Sequence, residues 1–307
     1  MACAPAIPRF ERLARPLVLA LSGGGANGAA QAGAAAELFE AGFRPDLIIG
    51  TSVGAWNGAW MAGHPDGEGD RELLRLWVDP SVRSLLRGVV RGYVGALARR
   101  RVAAFSDSHM RRIIEQSFGG RSFADLRIPL AVAAVDMISA EIEYLEEGSV
   151  SEAVLAASAI PTVLPPVRIG ERMLADAGFV DNFGIVEALG RGARSIVLLD
   201  ASVGALAGVP DRLTAVLGRA NLVTKIHQRR HAAAAAAAAG VRLDILEVSA
   251  QGWVLDFAAA GEHIKLGRRI ARDWLEGIDR GLGVTHLPTP GRAVGVGAFR
   301  QSRAHAV

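Results

Sequence analysis

Cysteine and lysine are nearly absent from this chain, and long apolar runs are missing. Cys3 is the single cysteine of the 307 residues, so an intramolecular disulfide is excluded. No stretch of eighteen apolar residues occurs, which predicts that no segment spans a membrane. The segment before Pro16 lacks a continuous apolar core and contains Glu11, unlike a signal peptide. These absences lead us to expect a cytoplasmic protein.

The positive charge is carried almost entirely by arginine, since Lys225 and Lys265 are the only lysines among 34 basic residues. The formal net charge is +3, and no RNA-binding motif or basic-aromatic patch accompanies it. The histidines show no spacing typical of a metal site. We therefore predict no nucleic-acid partner, no metal and no organic cofactor.

The composition favours one domain. Half of the residues are hydrophobic, which supports a substantial core. No Pro/Ser/Gly-rich linker or long charge run divides the chain, so we predict a single domain over residues 16–287. Residues 1–15 are predicted to be disordered, and the Gly/Arg/Ala-rich tail 288–307 is predicted to be mobile.

Apolar segments alternate with helix-like segments along the chain. This alternation predicts an α/β fold of three layers, α/β/α, with a mostly parallel central sheet. An alanine run, His231–Gly240, is predicted to be a helix that ends at Gly240. The predicted strands are Pro16–Leu21, Pro45–Ile49, Ile128–Asp136, Ser195–Asp200 and Asp244–Val248, with Glu143–Leu145 as a hairpin partner of the third.

The segment Gly50-Thr51-Ser52-Val53-Gly54 carries the strongest catalytic signal. It lies between a predicted strand and a helix of small residues, and a serine in such a turn, with glycine two places away on either side, forms the pattern of a nucleophile elbow. The following helix directs its N-terminal N–H groups toward Ser52, which favours a developing oxyanion. We therefore predict that Ser52 is a nucleophile.

A second glycine turn, Ser22–Gly28, follows the first predicted strand. Its uncovered backbone N–H groups are suited to an oxyanion, but Gly23-x-Gly25-x-x-Gly28 also fits a dinucleotide-binding loop. The dinucleotide interpretation expects an acidic residue at the end of the second strand. Asp46 instead begins that strand, which favours the oxyanion hole and leaves nucleotide binding as an alternative function.

A nucleophilic serine needs a proton acceptor, and an aspartate in a tight turn supplies one without a histidine. The segment Leu174–Gly184 contains Asp176 and Asp181. Either aspartate taken alone is explained more simply as a turn residue that binds its own backbone. The chain order of glycine loop, serine elbow and aspartate turn favours a catalytic role.

These motifs resemble those of the patatin-like phospholipase family, lipid acyl hydrolases with a Ser–Asp dyad. The family's oxyanion loop, Gly-x-Ser-x-Gly elbow and Asp-Gly turn correspond here to Gly23–Gly28, Gly50–Gly54 and Asp176–Gly178. Ala157–Pro166 and Leu255–Gly267 are also similar to family segments. The resemblance therefore extends over most of the chain, from Pro16 to Leu282.

The resemblance implies an acyl hydrolase that cleaves fatty-acyl esters of lipids or phospholipids. Ser52 would be the nucleophile and Asp176 its proton acceptor. Backbone N–H groups would form the oxyanion hole, with Gly23, Gly24, Gly25 and Val53 as candidates. The residues that would support these motifs are Gly28, Gly50, Gly54, Ala177 and Gly178.

Two positions depart from the family pattern. Asn27 stands where the family usually has arginine or lysine, so a positive side chain is lost while the backbone donors remain. Ala177 stands where glycine usually follows the aspartate, which is tolerated only if φ there is not positive. Both departures leave the dyad in place and bear on rate and specificity.

Three further interpretations stay open. A Ser-His-Asp hydrolase would need a late histidine, and His227, His231, His263 and His286 are candidates, but none follows a strand in a Gly-rich turn. A lipid-binding module without catalysis would share the same apolar features. The segment Ser84–Arg101 alternates apolar residues with arginine, and we interpret it as surface helices, with peripheral contact to an anionic membrane as the alternative.

Overall fold

A central sheet organises the molecule. The structure is a computed structural model that describes residues 9–65, 68–83, 96, 98, 100–202, 213–249 and 257–280. In this part of the chain the sheet has eight strands: β1 Leu17–Leu21, β2 Leu47–Thr51, β3 Leu130–Asp136, β4 Ile142–Leu145, β5 Val167–Ile169, β6 Arg172–Asp176, β7 Ser195–Asp200 and β8 Arg242–Glu247.

Helices cover both faces of this sheet, as the alternating pattern predicts. They are α1 Gly28–Glu40, α2 Val53–Gly63, α3 Glu68–Val78, α4 Pro80–Arg83, α5 Ser108–Phe118, α6 Val150–Ala157, α7 Ile185–Gly190, α8 Leu213–Ala238 and α9 Ala260–Asp279. The predicted alanine helix forms the last eight residues of the 26-residue helix α8, and Gly240 follows its end with φ of 65°.

The strands run in the order β5-β6-β3-β2-β1-β7-β8, with β4 also paired to β3. Strands β3, β2, β1, β7 and β8 are parallel, whereas β4, β5 and β6 pair antiparallel. The predicted three-layer fold with a mostly parallel sheet is therefore confirmed. The hairpin of β5 and β6 was not predicted, because its short strands surround the polar turn Gly170-Glu171.

One edge of β3 is shared by two strands. Its first half pairs with β2, and the last pair of that ladder joins Thr51 to Ala133. From Ala134 onward β6 takes the place of β2, and Asp176 pairs with Ala134. Ala133 and Ala134 also pair with β4, which therefore occupies the opposite edge of β3. Strands β2 and β6 thus share one edge, and the end of β6 lies directly beyond the end of β2.

Side chains alternate between two apolar layers. On one face Leu19, Leu21 and Val197 pack with residues of α1, α2 and α9. On the other face Val18, Ala20, Ile196 and Leu198 pack with α7 and with Ala232 and Ala236 of α8. Period-two alternation in fully buried strands places each neighbouring residue in the opposite layer.

Helices α1 and α9 lie unusually close to each other. A Cβ on Gly267 would lie 1.8 Å from the carbonyl oxygen of Ala30, and a Cβ on Gly33 would lie 2.3 Å from that of Ile264. At their exposed side, Glu37 accepts hydrogen bonds from Arg268 at 2.8 Å and Arg272 at 2.7 Å. Glycines at the contact therefore allow the two backbones to approach closely, and the ion pairs of Glu37 lie at the edge of this contact.

Within residues 1–15, for which the sequence predicts disorder, the structure describes residues 9–15. Arg9–Arg12 forms a 3₁₀ turn, Leu13 is buried in the core, and Arg9 pairs with Asp279 at the end of α9. This turn was not predicted because the segment is too short to show a periodic apolar pattern. The tail 288–307 and nearly all of Ser84–Arg101 lie outside the described residues. No helix in the described ranges is long and apolar enough to cross a membrane.

Candidate active site

Ser52 lies in the turn between β2 and α2, as predicted for a nucleophile elbow. Its φ of 55° and ψ of −124° are unusual for a residue other than glycine. A Cβ on Gly50 would lie 2.5 Å from the carbonyl oxygen of Gly54, and one on Gly54 would lie 2.1 Å from that of Leu21. Both glycines are therefore required by close backbone approach, and the turn holds Ser52 at the carboxyl edge of the sheet.

Asp176 ends β6 and begins the 3₁₀ turn Ala177–Phe179. Its carboxylate accepts the backbone N–H of Gly178 at 2.8 Å, and the Ser52 side chain lies near enough to lower the pKa of this carboxyl. Only 6% of Asp176 is exposed. The structure thus brings together the two residues that the sequence marked as nucleophile and proton acceptor.

The electrostatic surroundings of Asp176 act in opposite directions. Burial raises the pKa of this carboxyl above its usual value because the charged form loses hydration. The Ser52 side chain, the hydrogen bond from the Gly178 N–H and the positive charge of Lys225 act against this shift. A carboxylate with a raised pKa is a stronger base, which suits it to take a proton from a hydroxyl.

Lys225 of α8 was not among the predicted site residues. Its ammonium group donates a hydrogen bond to the carbonyl oxygen of Gly178, within the turn that carries Asp176. Burial lowers its pKa to about 8, although Asp176, Asp181 and Asp200 act in the opposite direction. Only the rarity of lysine in this sequence could have drawn attention to it, because its neighbours form an ordinary helical pattern.

The glycine loop after β1 packs directly against the elbow. A Cβ on Gly23 would lie 3.0 Å from the Cβ of Ser52, and a Cβ on Gly24 would lie 2.4 Å from the carbonyl oxygen of Ala201. Gly25, with φ of 57°, lines the cavity that also contacts Ser52 and Val53. Gly23, Gly25 and Val53 therefore lie around Ser52, while Gly24 packs against Ala201 at the end of β7.

Gly28 belongs to the packing of this loop. A Cβ there would lie 2.3 Å from the Cγ2 of Val53 and 2.6 Å from the ring of Trp77. The glycines that fit the dinucleotide fingerprint are thus needed for contact with neighbouring protein atoms. This packing favours the oxyanion interpretation over the nucleotide one.

Asn182 connects the glycine loop to the aspartate turn. It is buried, and its Nδ2 donates to the carbonyl oxygen of Gly23 at 3.2 Å. A Cβ on Gly178 would lie 2.9 Å from the Asn182 Oδ1, so this side chain fills the space between both loops. The sequence contained Asn182 within the aspartate motif but gave no sign of this bridging contact.

A buried network of polar side chains from α1, α2 and α3 supports the glycine loop after β1. Gln31 of α1 donates to the carbonyl oxygens of Ser22 and Leu199 at 2.9 and 3.0 Å. Asn57 of α2 donates to Gln31 and accepts the indole N–H of Trp77 at 3.0 Å. Because buried amides must be paired, this network fixes the relative positions of β1, β7 and three helices.

Both departures from the family pattern have a structural explanation. Asn27 is buried, and its Nδ2 donates to the carbonyl oxygen of Ala201 at 3.0 Å, so it closes the loop against the end of β7. Ala177 lies in the 3₁₀ turn without a positive φ and is fully buried, which agrees with alanine at this position.

Asp181 and the described histidines have other contacts. Asp181 accepts the backbone N–H groups of Phe183 and Gly184 and the hydroxyl of Tyr144, as a turn residue does. His64 binds Trp60 and Arg121, His109 binds Ser81, and His263 faces the carbonyl oxygen of Ala26. His227 and His231 are exposed on α8. None of these contacts supplies a histidine to Ser52, which disfavours the triad for the described histidines.

A narrow apolar cavity opens beside Ser52. It offers about 50 Å³ to a water-sized molecule, and its walls come from α2, α3, α4, α5 and the 3₁₀ turn Phe257–Ala259. The apolar residues that line it are Val53, Trp56, Leu76, Trp77, Val82, Met110, Ile160 and Phe257. Such a lining suits a hydrocarbon chain better than a sugar or a phosphate.

Known proteins are similar to this chain in sequence. Patatin-like phospholipase domain-containing protein 6 of Mus musculus is 29% identical over 198 residues, which is 62% of this chain and 14% of that protein. Lysophospholipase nte1 of Aspergillus terreus is 30% identical over 196 residues, 62% of this chain and 12% of that protein. The chain therefore spans only about one seventh of the length of these curated relatives.

Solved structures and family models agree on the fold. VipD from Legionella pneumophila superposes with a TM-score of 0.50 at 14% identity, over 86% of this chain and 68% of VipD. The family model described as patatin-like phospholipase matches residues 19–189, which is more than half of the chain and includes the glycine loop, Ser52 and Asp176. The chain therefore belongs to the patatin-like phospholipase family.

Proposed function

We propose that this protein is a serine acyl hydrolase that cleaves fatty-acyl esters of phospholipids or lysophospholipids through Ser52 and Asp176. The observation that carries the proposal is the position of the Ser52 side chain, which is near enough to the buried Asp176 carboxyl to lower its pKa and lies beside an apolar cavity. Family membership and the lysophospholipase among its relatives support the lipid substrate class.

The first half-reaction acylates the enzyme. The Ser52 Oγ attacks the ester carbonyl carbon while its proton passes to the Asp176 carboxylate. Backbone N–H groups of Gly24, Gly25 and Val53 stabilise the tetrahedral oxyanion. The intermediate then collapses, the ester bond breaks, and the leaving alcohol takes the proton from Asp176.

The second half-reaction uses the same two residues. Asp176, again ionised, takes a proton from water as the water oxygen attacks the acyl-Ser52 carbonyl carbon. Collapse of this second oxyanion returns the proton to the Ser52 Oγ and releases the fatty acid. No further group is needed to balance the reaction.

The cavity supports a preference for apolar acyl chains. Burial of each methylene contributes about 0.8 kcal/mol, so a chain held among Trp56, Leu76 and Met110 gains affinity with length. A headgroup would remain outside this apolar space. Peripheral contact of residues 84–101 with an anionic membrane, the alternative interpretation of that segment, would present such lipids to the cavity.

Fluorophosphonate labelling tests the proposal directly. The purified protein is labelled in the presence of detergent or lipid, and the modified peptide is mapped by mass spectrometry. We expect label on Ser52 that disappears in Ser52→Ala and in Asp176→Asn. Asp181→Asn is the matched control, because this aspartate lies in the same turn and should retain labelling. A folded protein without label on Ser52 would disprove the proposal.

A further inference from the structure

The ammonium group of Lys225 is buried beside the turn that carries Asp176. Only 7% of Lys225 is exposed, and its Nζ donates to the carbonyl oxygen of Gly178. The N–H of the same Gly178 binds Asp176. One peptide unit is therefore held between the lysine and the aspartate.

Helix α8 brings two cations to this edge of the sheet. Arg229, one turn after Lys225, binds Asp200 at 3.0 Å and Glu247 at 2.7 Å. That arginine is explained by its two carboxylate partners at the ends of β7 and β8. Lys225 instead meets a neutral carbonyl oxygen, so its burial calls for a different explanation.

We propose that Lys225 is a positioning residue that keeps Asp176 ionised and fixes the orientation of its turn. This inference rests on the proposed function, because it assigns the proton acceptor of that reaction a partner. Lys225 is not among the residues that line the cavity, and its hydrogen bond is made to the carbonyl oxygen of Gly178. Its effect passes through Asp176 and Gly178.

The need for such a residue follows from the burial of Asp176. A carboxyl removed from water favours its neutral form, which cannot take the Ser52 proton. A positive charge inside the same low-dielectric region stabilises the carboxylate far more than a surface charge does. The ammonium group supplies that charge, and its hydrogen bond keeps Gly178 in place to donate to the carboxylate.

Other charged and titratable groups also face this lysine. Asp181 in the same turn and Asp200 at the end of β7 both act on its pKa, together with Asp176. Asp200 is paired with Arg229, and Asp181 binds the hydroxyl of Tyr144 on β4. Replacement of Lys225 therefore changes mainly the protonation of Asp176, because Lys225 is one of the three residues, with Ser52 and Gly178, that lower the pKa of this carboxyl.

The first test is the pH dependence of kcat/KM for p-nitrophenyl hexanoate in Lys225→Met. We expect the acid limb to move about one pH unit or more toward alkaline pH, because loss of the cation disfavours the carboxylate. The KM should stay nearly constant. Arg230→Met is the matched control, because it removes an exposed cation from the same helix and should leave the limb in place.

A second measurement uses the lysine scarcity of this chain and does not require Lys225→Met to fold. With ¹³Cε-lysine, the NMR spectrum contains only the signals of Lys225 and Lys265, and Lys265 on α9 serves as an internal reference. In the wild type we expect the Lys225 signal to titrate at about 8. In Asp176→Asn the midpoint should fall by about one unit, because the coupling between two charges is reciprocal.

The outcomes separate this inference from the proposed function. Two results would overturn the inference. One is an acid limb of kcat/KM that does not shift in folded Lys225→Met, and the other is an NMR titration midpoint of Lys225 that does not change in Asp176→Asn. A uniform loss of activity at every pH would also overturn it, because that result indicates a merely structural lysine. Absence of Ser52-dependent hydrolysis in the wild type would instead disprove the function, while the NMR result would still decide the pairing.

Discussion

Ser52 and Asp176 meet because β2 and β6 end one residue apart along the same edge of β3. Thr51 is paired with Ala133, and Asp176 is paired with Ala134, the next residue. Strand β2 leaves the sheet through the elbow, and β6 arrives from the opposite direction to end beside it. The spacing of the dyad is therefore set by backbone pairing within the sheet, which is a rigid support for a reactive contact.

This contact predicts that the two residues act as a unit. Ser52→Ala and Asp176→Asn should each lower kcat/KM by on the order of 10²–10⁴, the range of general-base catalysis. The double variant should be no slower than the slower single variant, because either change removes the same step. Steady-state kinetics with a chromogenic ester measures all three. Additive losses would indicate two independent roles.

The raised pKa of Asp176 predicts a cost in stability. Burial lets the folded protein hold this proton more tightly than the unfolded chain does, so ionisation of Asp176 opposes folding. The free energy of unfolding of the wild type, relative to Asp176→Asn, should therefore fall as the pH rises through the folded pKa. Urea denaturation of both proteins between about pH 4 and about pH 6.5 measures the difference. A wild type whose unfolding free energy rises with pH relative to that of Asp176→Asn would contradict the assignment.

The apolar cavity predicts how acyl-chain preference can be changed. Met110→Trp fills space beside Ser52, so long chains should lose binding while short ones still fit. Each excluded methylene forfeits about 0.8 kcal/mol, roughly fourfold in kcat/KM. A series of p-nitrophenyl esters from butyrate to laurate measures the preference. Met137→Trp is the control, because Met137 is an exposed methionine after β3, and its profile should match the wild type.

The close approach of α1 and α9 predicts that a single methyl group is harmful there. Gly267→Ala places a Cβ against the backbone of Ala30, and the forced separation should cost about 1–3 kcal/mol of unfolding free energy. Gly218→Ala on α8 meets open space and should instead stabilise by about 0.5–1 kcal/mol. Thermal and urea unfolding of both variants measures the contrast. Equal effects would mean that the helices can separate freely.

Local signals made much of the fold predictable. The buried strands β1, β2, β3 and β7 are continuous apolar runs bounded by glycine, proline or polar residues, and they were identified with end errors of a few residues. The hairpin of β5 and β6 was missed because its strands have only three and five residues, which is too short to show an alternating apolar pattern. The N-terminal turn at Arg9–Arg12 was missed for a similar reason, since its stability comes from contacts with α9.

The candidate site divides in the same way. The sequence by itself determined the elbow at Ser52, because the five residues Gly50–Gly54 join a strand to a helix and can do so only by a tight turn. It also determined the glycine loop as a turn of exposed backbone. Both are properties of contiguous residues, so they can be read before the chain folds.

The resemblance indicated Asp176 rather than Asp181 as the proton acceptor, but only the tertiary structure accounts for the position of Asp176 beside Ser52. Both accept backbone N–H groups in the same turn, and the register of β6 against β3 alone places one of them beside Ser52. Lys225 likewise arrives from a helix far along the chain, where its helical neighbours give no sign of a charged partner. Pairing across a sheet and packing of distant helices depend on long-range contacts, and local sequence patterns do not encode these contacts.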